Sequence, residues 1–295
     1  MSAAELSIPP TLVDEAVADA LREDLGLAGD ITTIATVPPE TRASGIIGAR
    51  KAGVVAGLQL VETAIKALDP QATVQVVIGD GGTVGDNGTI AQVAGNARAL
   101  LTAERVAMNF LGHLSGIATL TRRYVDEIKG TRAGIIDTRK TTPGLRVFEK
   151  LAVRAGGGLN HRFGLYDAIL IKDNHIVAAG GIGPAMQRAR AHAGHMVKIE
   201  VEVTTLAELE EALAHGSDAV LLDNMPLDRL KAAVAMVADR AITEASGGVN
   251  LETVRSIALT GVDLISVGAL THSAPTLDVG FDFEPADRGG DDQDA

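Results

Sequence analysis

AILIKD at Ala168–Asp173, VKIEVEV at Val197–Val203 and AVLLDN at Ala219–Asn224 decide the fold. Each is a short aliphatic run that closes on a charged residue, Lys172, Glu202 or Asp223, and then enters a helical pattern. Outward from these, the pattern recurs at GIID, which leads into Thr138, Arg139 and Lys140. It recurs again at AITEASGG, ending in Ser246, Gly247 and Gly248, and at LISVGA, ending at Gly268. Apolar strands alternating with helices predict βα units around a parallel sheet, and so many in series favour a barrel. The carboxyl ends of barrel strands share one rim, so the cations, carboxylates and glycine loops should converge on one cavity.

The first third follows another pattern. Leu12, Val13, Ala16, Val17, Ala20 and Leu21 keep a helical period over Thr11–Leu25, with Asp14 and Glu15 expected early, where the helix dipole favours them. Residues 43–95 hold short β-like runs (SGIIGAR, GVVAGL, ATVQVVI, GTIAQVAG) divided by Gly/Asp/Asn turns, which predicts an antiparallel sheet or sandwich. The glycines of 79–88 lack the Gly-Lys-Ser/Thr ending of a phosphate loop and fit turn chemistry. A long helix over residues 97–127 should link this region to the barrel, broken or kinked around Gly112–Gly116.

Composition narrows the chemistry. The chain has 295 residues and no cysteine, which excludes disulfides, thiolate metal sites and cysteine nucleophiles. The start MSAAELSIPP lacks a signal-peptide pattern and no run is long and apolar enough for a membrane span, so a cytoplasmic location is the default expectation. A net charge of −12 argues against nucleic acid as a partner. Within 137–173, however, Arg139, Lys140, Arg146, Lys150, Arg154, Arg162 and Lys172 outnumber Asp137, Glu149, Asp167 and Asp173, which suits a small anionic ligand. Walker A, HExxH, GxSxG and helix-opening GxGxxG patterns are all absent.

Several residues carry two readings each. Arg139 and Lys140, followed by Pro143 and Gly144, form either a solvated basic loop or an anion site; Asn160, His161, Arg162 and Lys172 add weight to the second. Lys172 is a Schiff-base nucleophile or a protonated anion clamp, and His175 tunes it or packs. Glu202 and Asp223 either pair with nearby cations or hold a hard cation such as Mg²⁺ with phosphate oxygens, and Glu200 would share the face of Glu202. Ser246–Gly248 and Gly268, at the ends of the last two strands, fit phosphate binding through backbone N–H groups.

REDLG and GDITT within Arg22–Thr33, LLTAERVAMNFLGHLSGIAT, DTRKTTPGLR, VRAGGGLNHRFGLYDAILIKDNH, LLDN, EASGG and SVGALTHS follow one another in this order. Together they resemble the quinolinate phosphoribosyltransferase family of type II phosphoribosyltransferases, over about residues 10–283. The resemblance implies an α/β fold with an N-terminal α/β sandwich (1–115, completed by 274–283) and an open α/β barrel (116–273), leaving an acidic, disordered tail at 284–295. It implies transfer of the phosphoribosyl group of phosphoribosyl pyrophosphate to quinolinate, with decarboxylation to nicotinate mononucleotide and with Mg²⁺, in a homodimer or dimer-based assembly.

Carried over by motif, Arg105 of a neighbouring subunit with Arg139, His161, Arg162 and Lys172 would hold the pyridine dicarboxylate. Thr138, Arg139, Lys140 and Lys172 would face the sugar diphosphate. Glu202 and Asp223 would serve Mg²⁺ and the ribose, and Lys140, Lys172, Glu202 and Asp223 would be the catalytic set. Ala245, Ser246, Gly247 and Gly248 with Ser266, Val267 and Gly268 would bind phosphate, largely by backbone. A Schiff-base lyase, a non-catalytic homologue and a related phosphoribosyltransferase for another acid, or one tied to molybdate metabolism, are the competing expectations.

Overall fold

The computed structural model describes residues 8–285. In chain order the elements are α1 Pro10–Leu25, α2 Ile31–Thr36, β1 Arg42–Ala49, β2 Gly53–Val54, α3 Leu58–Leu68, β3 Thr73–Val76, β4 Thr83–Val84, β5 Thr89–Asn96 and α4 Ala97–Glu127. There follow β6 Gly134–Ile136, α5 Arg146–Ala155, β7 Ile169–Ile171, α6 Asp173–Ala179, α7 Ile182–His192, β8 Ile199–Val203, α8 Leu206–Ala214 and β9 Ala219–Asp223. The chain closes with α9 Leu227–Val237, β10 Ile242–Ser246, α10 Val254–Ala258, β11 Leu264–Ser266, α11 Ala269–His272 and β12 Val279–Pro285. Among the described residues two compact units result, one within 8–119, 154–156 and 274–285 and one of 120–153 and 157–273.

The first unit is built on an antiparallel sheet of order β12-β1-β5-β3. Its edge strand β12 comes from the far end of the sequence and pairs with β1 from Ala49↔Val279 to Ala43↔Pro285. The expected acidic tail therefore loses its first two positions to this strand, and its remainder lies outside the described residues. Three other expectations change here. Pro10 opens α1 at its first helical position, which puts Asp14 and Glu15 beyond the first turn; Val13, Val17 and Leu21 form the buried stripe. Only Gly53 and Val54 of GVVAGL are strand, and LQLVETAIKAL is helix α3, burying Leu58, Leu60, Val61, Ala64 and Ile65.

Helix α4 runs unbroken through Gly112 and Gly116. These glycines, four residues apart, lie on one face. They serve close approach: a Cβ on Gly116 would sit 2.2 Å from the Pro275 carbonyl oxygen, and one on Gly112 would sit 3.0 Å from that of Leu277. The Leu277 N–H donates to the Gly112 carbonyl at 3.0 Å, fastening the chain that feeds β12 to the helix.

The second unit is a parallel sheet of order β6-β11-β10-β9-β8-β7, so all six expected strands are present. No ladder joins β6 to β7 among the described residues, and β6 carries a one-residue parallel bridge to Leu159 instead, leaving the barrel open. Alternate residues of each strand face opposite ways. Val201, Val220, Leu222, Ala245 and Ile265 occupy the face packed in the core, with exposures of 0–2%. The other parity is free to carry chemistry.

Gly116→Ala is expected to destabilise the first unit by about 1–3 kcal/mol through overpacking, although alanine favours a helix by about 1 kcal/mol. Gly79→Ala, with nothing within 4 Å of the added carbon, should stay within about 0.5 kcal/mol of the parent. Chemical denaturation of both variants checks this.

Candidate active site

One cavity of about 380 Å³ opens at the carboxyl ends of the parallel strands. Its walls follow the second parity: Leu170 and Lys172 from β7 and its end, Glu202 from β8, Leu221 and Asp223 from β9, Glu244 and Ser246 from β10, and Ser266 from β11. Thr138, Arg139 and Lys140 enter after β6, and His161 and Arg162 from the loop after α5. Two local devices end strands cleanly at this rim. The Lys172 N–H donates to His175 Nδ1 at 2.9 Å as α6 begins, so His175 caps a helix. Thr205 and Glu208 form a reciprocal capping box that starts α8 just past Glu202.

Beneath the rim lies a buried ion pair. Lys150 and Asp137 have fully buried side chains in direct contact, and the Lys150 ammonium stands 5.1 Å from the Phe163 ring centre. Burial pushes the Asp137 carboxyl up and the Lys150 ammonium down, and the contact opposes both shifts. Asp137 also accepts from the His161 N–H at 2.9 Å and from Asn160 Nδ2 at 2.6 Å, while Lys150 donates to the His161 carbonyl at 3.0 Å. Asn160, grouped in the sequence with the ligand-binding residues, thus holds the loop that presents His161 and Arg162. Of the basic residues of 137–173, Arg139, Lys140, Arg162 and Lys172 reach the cavity. Arg146 is engaged with Thr141 and the Phe163 carbonyl.

The charges within the cavity are unevenly satisfied. Lys172 Nζ donates to Glu202 Oε2 at 2.9 Å, and Asn224 Nδ2 to Asp223 Oδ2 at 2.8 Å. Arg162 reaches the Ala168 carbonyl at 2.9 Å through one terminal nitrogen, but its Nε and that of Arg139 are buried without partners. Burial and the adjacent Arg139 lower the Arg162 pKa from its ordinary value. Two crowded guanidiniums with unused donors suit an anion with more than one carboxylate.

His161 has both ring nitrogens occupied. Its Nδ1 accepts the Arg162 N–H at 2.6 Å, so the ring proton lies on Nε2, which stands 3.0 Å from Glu200 and 3.6 Å from Glu244. Both acids are buried and Glu244 lines the cavity; burial with the neighbouring Glu200 carboxylate drives the Glu244 carboxyl well above its ordinary range. Glu244 was not singled out in the sequence, where it sits inside a strand; its spacing of two from Ser246 is the signal that would have found it.

Among the proposed phosphate groups, Ala245 and Val267 are buried on the opposite parity and can offer only backbone. Gly247 and Gly248 take positive φ (96° and 63°), and a Cβ on Gly247 would meet Asn224 Oδ1 at 2.2 Å. Gly268 packs on Lys140, whose Cδ would stand 3.1 Å from an added Cβ. Arg105 belongs to the first unit, on α4, with its side chain 69% exposed and 3.9 Å from Glu104.

An open parallel barrel that gathers four cations and several carboxylates at the ends of its strands defines a barrel enzyme for small, multiply charged anions. Comparison with known proteins carries this further. The family model of the quinolinate phosphoribosyl transferase N-terminal domain matches residues 30–115, and that of the C-terminal domain matches 117–282. A probable carboxylating nicotinate-nucleotide pyrophosphorylase of Bacillus subtilis is 45% identical over 260 residues, covering 88% of this chain and 89% of its own. The carboxylating nicotinate-nucleotide pyrophosphorylase of Mycobacterium leprae is 46% identical over 272 residues, covering 90% and 94%. The crystal structure of NadC from Streptococcus pyogenes superposes with a TM-score of 0.92 at 42% identity, covering 95% and 99%. The chain belongs to the quinolinate phosphoribosyl transferase family. No helix among the described residues is long and apolar enough to cross a membrane.

Lys150→Met is expected to lower the unfolding free energy by about 3–5 kcal/mol, because it strands a buried carboxylate. Urea denaturation measures it, and a loss under about 1 kcal/mol would show that other contacts hold the loop.

Proposed function

We propose that the chain transfers the phosphoribosyl group of phosphoribosyl pyrophosphate to the ring nitrogen of quinolinate and releases one carboxylate as CO2, giving nicotinate mononucleotide and pyrophosphate. The observation that carries this is the crowding of Arg139 and Arg162, each with an unused buried Nε, in the cavity that also holds Glu202 and Asp223. Adjacent carboxylates on a flat ring need several fixed cationic donors, and guanidinium groups provide them with matching geometry.

The two rim carboxylates serve the other substrate. As the pyrophosphate leaves, positive charge develops on the ribose carbon, and fixed negative groups stabilise it without reorganising. Lys140, Lys172 and the backbone N–H groups of 246–248, Ser266 and Gly268 take up the negative charge of the phosphates, whereas the Val267 N–H is spent on the Ile136 carbonyl at 3.0 Å; the glycines let the backbone approach closely. The ring nitrogen then bonds to the ribose carbon. Its resulting positive charge stabilises the electron pair that stays on the adjacent ring carbon when the carboxylate departs, so decarboxylation needs no separate organic cofactor.

Glu202 and Asp223 are hard oxygen donors at the open rim, the donor set that suits Mg²⁺ shared with a diphosphate. When bound there, Mg²⁺ neutralises charge on the leaving pyrophosphate. Lys172 acts by charge in this scheme, since its amine donates to Glu202, whereas a Schiff-base nucleophile needs that amine free. A homodimer, with the exposed Arg105 of one copy completing the quinolinate site of the other, belongs to the same proposal.

Mass spectrometry of the full chain with phosphoribosyl pyrophosphate, Mg²⁺ and either quinolinate or nicotinate tests the function. Nicotinate mononucleotide should form from quinolinate alone and vanish with EDTA; product from neither acid would overturn the assignment. Arg162→Ala should weaken quinolinate binding by about 1.5–3 kcal/mol and phosphoribosyl pyrophosphate binding far less, and titration showing the reverse would reassign the residue. Asp223→Asn should mainly slow turnover; an unchanged Mg²⁺-dependent rate would remove Asp223 from the catalytic set.

A further inference from the structure

The proposed reaction leaves a step without an agent. When the carboxylate beside the ring nitrogen departs, its carbon keeps the bonding pair and must receive a proton. The donor has to reach the cavity, hold a proton at rest and have no other demand on it.

Most candidates fail one of these conditions. The single N–H of the His161 ring is directed at Glu200, and Lys172 Nζ is engaged with Glu202. The hydroxyls of Thr138, Ser246 and Ser266 are far weaker acids than a carboxylic acid. Lys140 packs against Gly268, on the side of the cavity assigned to phosphate.

Glu244 meets all three conditions. It reaches the cavity from β10, is 2% exposed, and its Oε1 is buried without a hydrogen-bond partner. Its other oxygen faces His161 at 3.6 Å and lies within 4.8 Å of a Glu200 oxygen, and no Lys or Arg among the described residues is in ion-pair contact with it. Two buried carboxylates converging on one imidazole N–H cannot both be charged without a cation, so one of them holds a proton. The direction of the Glu244 shift agrees: burial and Glu200 raise it, against weaker opposition from Ser266 and Lys172.

We propose that Glu244, whose side chain lines the cavity with no Lys or Arg among the described residues paired to it, is the acid that protonates the ring carbon vacated by CO2. The carbon–carboxylate bond breaks and CO2 leaves, with the bonding pair remaining on the ring. Until it is protonated, this carbon can recapture the CO2, so the loss becomes permanent only as the O–H bond of Glu244 breaks and the C–H bond forms; the carboxylate regains its proton from water after product release. Glu200 and His161 are positioning residues in this step. It rests on phosphoribosyl transfer with decarboxylation as proposed above, and wild-type protein that makes no nicotinate mononucleotide would sink that reading first.

Glu244→Gln keeps the shape and polarity of the side chain but has no acidic proton. With carboxyl-labelled quinolinate in single turnovers, pyrophosphate release by the variant should remain near the wild-type rate. Release of labelled CO2 should fall by about 10²-fold or more, and a nucleotide retaining both carboxylates should accumulate. Equal loss of pyrophosphate and CO2 in a variant that still binds quinolinate, or no loss of either, would overturn the assignment. If Glu244→Gln does not fold, the wild type in D2O decides: slower CO2 release with unchanged pyrophosphate release supports a proton delivered in that step, and equal rates in the two solvents overturn it.

Discussion

The Asp137 carboxylate is the constraint on which the ligand-binding face depends. It sits at the end of β6, wholly buried, and receives the Lys150 ammonium, the His161 N–H and the Asn160 side chain. A buried charge is costly unless its lone pairs are used, and here both oxygens are. The geometry that satisfies it also fixes where α5 lies and how the 160–162 loop leaves it. Arg139 follows Asp137 by two residues and Arg162 follows His161 by one, so the crowding of the two guanidiniums follows from how this single acid is satisfied.

Around that anchor the cavity separates two kinds of acid. Glu202 and Asp223 lie at the rim, each held by a neighbour through one oxygen. Glu200 and Glu244, of the same strand parity, are more fully buried, share one imidazole and have no Lys or Arg at ion-pair distance among the described residues. On β8 strand alternation sets the depth, because stepping back two residues from Glu202 to Glu200 moves a side chain about 6–7 Å toward the barrel floor, while Glu244 pairs with Leu221, as Glu202 does, and is buried at that level. A rim carboxylate is suited to charge and a floor carboxyl to carrying a proton.

The strand ends were legible because a parallel strand buried on one face leaves little ambiguity: ILI before Lys172 and VLL before Asp223 have few other readings. Glu244 was not, because ITEAS reads as strand interior and its importance depends on which neighbours share its parity. In the sequence Lys150 counts toward a basic segment suited to a small anionic ligand, since its partner Asp137 lies 13 residues away and only folding brings them together. Gly112 and Gly116 read as breakers for the same reason: the backbone they admit comes from Pro275–Leu277, more than 150 residues later. Helix α3 keeps a helical period at Leu58, Val61, Ala64 and Ile65, but the β-like runs GVVAGL and ATVQVVI on either side of it set the reading of 43–95 as sheet and leave the stretch between them unassigned.

The origin of β12 has a consequence for how the molecule is made. The sheet of the first unit lacks its edge strand, and α4 the chain that crosses its two glycines, until residues 275–285 exist. During synthesis the amino-terminal unit therefore waits with one side of β1 unpaired while the entire barrel is being translated. An open strand edge is the surface on which chains aggregate, so the order of translation exposes the protein to it for most of its time on the ribosome.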